Sequence, residues 1–70
     1  MSRRKLVTLD KYENIATGDI YFGYAVKDAV KKEIEGAVYM EVTTSIIKPK
    51  MTYIRLDSLR RIGQITFEKP

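Results

Sequence analysis

Along this chain, apolar residues alternate with polar ones in short runs, and the runs are separated by glycine, proline or small polar clusters. Alternation with a period of two marks strands that turn one face inward. Lys5 to Leu9 opens the series, with Val7 and Leu9 on one face. Asp10 to Thr17 reads as a loop, and Ala16-Thr17-Gly18-Asp19 supplies turn residues. Ile20 to Val26 is dense in aromatic and β-branched residues and predicts a second strand. Ile20, Phe22, Tyr24 and Val26 then share one face, which leaves Tyr21, Gly23 and Ala25 on the other. A glycine inside that strand predicts a bend or a bulge at Gly23.

Lys27 to Gly36 supports two readings. Asp28 could cap a short helix over 28–35, with Val30 and Ile34 four apart and Gly36 ending it. A helix so short is marginal without packing, so an extended hairpin arm or irregular loop is preferred. Ala37 to Ile47 is the longest predicted strand, with Val38, Met40 and Val42 alternating against Tyr39, Glu41 and Thr43. Lys48-Pro49-Lys50 predicts a tight turn, because Pro49 cannot donate to a ladder. Met51 to Leu56 returns antiparallel, with Ile54 and Leu56 inward and Tyr53 and Arg55 outward. Asp57-Ser58 begins a single 3₁₀ turn over 57–60 that drops Leu59 onto the core, the Asp57 carboxylate capping its amides. Ile62 to Phe67 closes the sheet.

Five short strands with one helical turn before the last predict a single mainly β domain over 1–70, with residues 1–4 as a flexible arm. Closing such a sheet protects edges that would otherwise pair with other chains. The stretch Tyr53-Ile54-Arg55-Leu56-Asp57-Ser58-Leu59-Arg60-Arg61-Ile62 resembles the strand, 3₁₀ turn and strand that finish SH3-like barrels. That resemblance implies a small five-stranded antiparallel SH3-like barrel. The proline-peptide recognition of signalling SH3 domains does not transfer, since the chain has no tryptophan and no paired acidic loop. Gly18-Asp19-Ile20-Tyr21-Phe22-Gly23, Val26 and Gly36-Ala37-Val38-Tyr39-Met40-Glu41-Val42 resemble the opening of an S1-type OB-fold RNA-binding domain. An OB-like barrel is therefore one alternative, and an α+β fold with a helix at 28–35 is another. Both barrel families commonly bind nucleic acid.

Composition narrows the function classes. At 70 residues, the chain buries only about 60% of its unfolded surface, which makes self-association as a homodimer an open expectation. It contains no cysteine and no histidine. That removes disulfides, thiolate nucleophiles, the commonest metal ligands and every histidine-based catalytic group. A domain this small also leaves little room for a deep pocket. The expectation is a non-enzymatic binding module with no cofactor and no metal. No run reaches the ~18 apolar residues of a membrane span, and no leader-like apolar region follows Met1 to Lys5. A cytoplasmic protein without a membrane partner is expected.

The net charge of +4 favours acidic partners. Arg3, Arg4 and Lys5 form a basic arm that no acid offsets before Asp10. Arg55, Arg60 and Arg61 are expected to position phosphates, while outward Tyr39, Tyr53 and Tyr21 offer faces on which bases could stack. Tyrosines also favour strands and protein interfaces for their own reasons. The leading expectation is association with RNA or DNA. The alternative is a small adaptor or inhibitor, of the kind phages and mobile elements encode, that binds an acidic protein surface.

Overall fold

The computed structural model of the chain describes residues 5–69. Six strands, β1 (Lys5–Asn14), β2 (Ile20–Gly23), β3 (Lys31–Ile34), β4 (Ala37–Thr43), β5 (Met51–Arg55) and β6 (Leu59–Lys69), form one antiparallel sheet. A 3₁₀ turn at Leu56–Ser58 joins the last two. Neighbours run β3-β4-β2-β1-β6. β5 joins β4 on the edge away from β3, since Tyr39 and Met40 pair with both strands. The expected five-stranded barrel is thus corrected to an open six-stranded sheet. It stays open because β6 leaves the 3₁₀ turn and pairs with β1 along its whole length, from Leu59 opposite Asn14 to Lys69 opposite Lys5. No pairing joins β5 to β6 among the described residues.

β1 is twice as long as its first apolar residues suggested. Asp10 to Asn14, expected as loop, continues the strand because its polar side chains find partners. Asp10 pairs with Arg61, Glu13 with Arg60, and the Asn14 carboxamide accepts the Ala16 amide. Asn14 N–H in turn donates to Asp19 C=O at 2.8 Å, closing the turn to β2. The contested stretch 27–36 is a hairpin arm: a turn over 26–28, then β3, then Glu35-Gly36 leading into β4. Glu35 and Gly36 both have positive φ, 50° and 80°, the requirement of a tight two-residue hairpin turn.

β4 ends at Thr43 rather than Ile47, and a loop over 44–50 replaces the expected tight turn. Two hydroxyls explain the early stop. Thr43 Oγ1 accepts the amides of Ser45 and Lys50 at 3.3 and 3.0 Å, and Ser45 Oγ accepts those of Ile47 and Lys48. Side-chain bonds of this kind compete with a sheet ladder for the backbone.

Tyr12, Tyr21, Ala29, Met40 and Val42 form the core, with Ile54, Leu56 and Leu59 packed against it. The inward direction expected for Ile54 and Leu56 holds. Tyr21, expected outward, is buried opposite Tyr12 in the β1–β2 ladder. Gly23 marks a close approach: a Cβ there would lie 3.2 Å from Val42 Cγ1 and 3.3 Å from the Glu41 carbonyl oxygen. With Val42 fully buried and the carbonyl fixed in a strand, neither neighbour can yield cheaply. Glycine is what lets β2 lie against β4 and turn away immediately afterwards.

Candidate functional site

Tyr39, Tyr53 and Arg55 do come together. Tyr39 lies opposite Arg55 on β5 and opposite Lys32 on β3, while Glu41 faces Tyr53. The Lys32 ammonium sits 4.6 Å from the centre of the Tyr53 ring. Tyr53 hydroxyl donates to Glu41 Oε2 at 3.1 Å, and accordingly its pKa is raised, mainly by that hydrogen bond to the carboxylate. Arg55 Nε bonds the Asp57 carboxylate at 2.9 Å. Asp57 is therefore an ion-pair partner and not the cap expected, since no side-chain bond caps the 3₁₀ turn.

Arg60 and Arg61 lie elsewhere, on β6, which pairs with neither β4 nor β5. Arg60 is held by Glu13. Arg61 Nε lies 3.3 Å from Asp10 Oδ2, where Asp10 is nearly buried. Tyr12 completes this cluster: its hydroxyl donates to the Tyr24 carbonyl at 2.8 Å and lies 3.4 Å from the same carboxylate. Burial pushes the Tyr12 pKa up to about 12, with the charge and hydrogen bond of Asp10 adding to it and Arg61 opposing it. Arg61 thus offsets a buried charge, which makes it part of the fold's support. Lys5 stands at the start of β1 opposite Lys69, and Arg3 and Arg4 lie outside the described residues. All three described arginines of the expected phosphate set already face a carboxylate.

One surface feature escaped the sequence reading. Strand alternation sends Met40 and Val42 into the core, so Glu41 and Thr43 point to the other side of the sheet. On that side lies an open groove of about 650 Å³, larger than a domain of this length was expected to hold. Its walls include Val7, Leu9, Phe22 and Phe67 from the sheet, with Ile46, Ile47, Pro49 and Met51 from the 44–50 loop and the start of β5. The hydroxyl braces of Thr43 and Ser45 hold that loop in place. Val7 and Leu9 share a face as expected, and that face is the groove wall. The signal available in the sequence was the adjacent pair Ile46-Ile47, which breaks the alternation in a stretch without room for a buried strand. Ile47 is 86% exposed and Met51 50%, so this apolar surface is open to water.

Among the described residues, no three acidic side chains converge as a metal site would require. No described helix is long and apolar enough to cross a membrane. No family model, curated protein or solved structure matches this chain.

Proposed function

We propose that this chain is a non-enzymatic protein-interaction module whose groove holds an extended apolar stretch of a protein partner. The observation that carries this reading is the groove itself: an apolar trough of about 650 Å³ on the sheet face that the chain's own core leaves uncovered. Contiguous exposed apolar surface of this kind costs solubility and marks interaction sites. Charge supports the same reading. With Arg55, Arg60 and Arg61 each facing a carboxylate, little of their charge is left for phosphates. Lys48 and Lys50 remain exposed on either side of the groove-lining Pro49, where they suit an acidic protein surface.

The reading is tested by selecting peptides from a displayed library against the folded protein. Enrichment of sequences with apolar residues at alternate positions is expected, and binding should fall at least about tenfold in Ile47→Glu and Met51→Glu. Both positions are exposed, so the fold should tolerate the change. Selected peptides that bind both variants as well as the parent would overturn the reading.

Association with nucleic acid is the second reading, favoured by the Lys32, Tyr39, Tyr53 and Arg55 surface on β3, β4 and β5. Exposed aromatic rings beside cations are what single strands stack on. Fluorescence anisotropy with labelled DNA and RNA separates the two, since phosphate binding weakens steeply with salt and an apolar groove's does not.

A further inference from the structure

The groove runs alongside an unfinished piece of sheet. β1 pairs with β6 over its whole length, yet with β2 only from Asp10 to Glu13. β2 stops at Gly23, opposite Asp10, and the chain turns away at Tyr24, whose carbonyl is taken by the Tyr12 hydroxyl. From Lys5 to Leu9, β1 therefore has a neighbour on one side and, among the described residues, none on the other. The backbone pattern fixes which groups face the gap. Asn14 N–H points to the β2 side, where it meets Asp19 C=O. N–H and C=O groups alternate sides along a strand, so Tyr12, Asp10, Thr8 and Leu6 all point that way. The N–H and C=O of Leu6 and Thr8 have no strand to receive them.

Val7 and Leu9, the residues between those free groups and next to them, line the groove. A free strand edge and an apolar trough thus lie side by side, which is the arrangement that strand addition uses: the ladder supplies affinity and alternate side chains supply selectivity. On this basis, which rests on the protein-interaction reading above, we propose that the partner segment binds as an added β-strand. It extends the line of β2 beyond Gly23, antiparallel to β1, with its main chain bonded to Leu6 and Thr8 and every second side chain in the groove. The matching segment alternates apolar and polar residues and carries acidic flanks. Lys5 stands at one end of the free edge, and Lys48 and Lys50 flank the opposite wall. Like charges there would disfavour a basic segment.

The test uses a labelled synthetic peptide of alternating valine and threonine with acidic ends, together with a copy N-methylated at the amides of one edge. Binding is read by anisotropy, and edge pairing by amide hydrogen exchange at Leu6 and Thr8. Expected are saturable binding, slowed exchange at both amides, and at least about tenfold weaker binding of the methylated peptide. Thr8→Pro should have a similar effect, because its lost N–H faces the gap and leaves the β1–β6 ladder intact. Its circular dichroism should match that of the parent. If the unmethylated and methylated peptides bind equally and the two amides stay unprotected, while Ile47→Glu still abolishes binding, the groove reading stands and strand addition falls. No peptide binding, with a dimer in sedimentation that Thr8→Pro converts to monomer, would assign the edge to a second copy and overturn the proposal. No binding and no dimer would overturn both readings.

Discussion

Tyr12 shows how far one side chain reaches in so small a core. Its ring packs with Tyr21, Met40 and Val42, and its hydroxyl secures the Tyr24 carbonyl and approaches the Asp10 carboxylate. Folding raises its pKa from the ordinary 10 to about 12. A hydroxyl that holds its proton more tightly when folded stabilises the native state fully below pH 10. That contribution is lost as pH climbs from 10 toward 12, because the unfolded chain releases the proton first. The loss is on the order of 2 kcal/mol. Urea titrations of the parent and Tyr12→Phe should therefore converge over this interval, the parent losing stability faster. Curves that stay parallel would show that the hydroxyl does not titrate as its surroundings imply. Little of this cluster was legible in the sequence. Asp10 and Glu13 read as loop because their partners, Arg61 and Arg60, become neighbours only once β6 pairs with β1.

At the scale of elements, local signals predicted that β2, β4 and β5 exist but not all of their bounds, since β2 stops at Gly23 where a strand to Val26 was expected. The β3–β4 hairpin was legible from Gly36 and the poor helix in 28–35, β5 from Ile54 and Leu56 alternating against Tyr53 and Arg55, and the 3₁₀ turn from Asp57-Ser58, although it spans Leu56–Ser58 rather than 57–60. Boundaries set by side-chain hydroxyls were not: Thr43 and Ser45 end β4 through bonds that composition does not announce. The β3–β4 turn carries a correctable cost. Glu35 sits at φ 50°, a region that most side chains avoid and that asparagine tolerates. Glu35→Asn should raise stability by about 0.5 kcal/mol and the melting temperature by roughly 2–4 °C. Differential scanning calorimetry of the two proteins checks this, and an unchanged or lower Tm would argue against strain at this turn.

For the whole molecule, the decisive pairing is also the least local. β1 meets β6 at the far end of the chain, so the largest ladder forms only after most of the sequence has been gathered. Such topologies fold in milliseconds to seconds, far more slowly than structures built from neighbouring contacts. Stopped-flow refolding from urea should give a phase in that range, whereas completion within microseconds would contradict the pairing. The same non-locality explains why a barrel was expected and an open sheet found. Ile54 and Leu56 show their inward direction in their own strand, Tyr21 does not, and whether β6 joins β5 or β1 is decided between distant segments.

That ladder has a mechanical side. Lys5 and Lys69 face each other at its outermost rung, so tension applied through these two residues falls on one rung at a time, beginning with theirs. A strand pair loaded in this way peels, and its length adds extension before rupture rather than strength. Drawn apart along their axes instead, with force entering at Lys5 and Leu59, the same strands would share the load across every rung at once. The molecule is therefore soft when Lys5 and Lys69 are separated and stiff along the length of its longest strands.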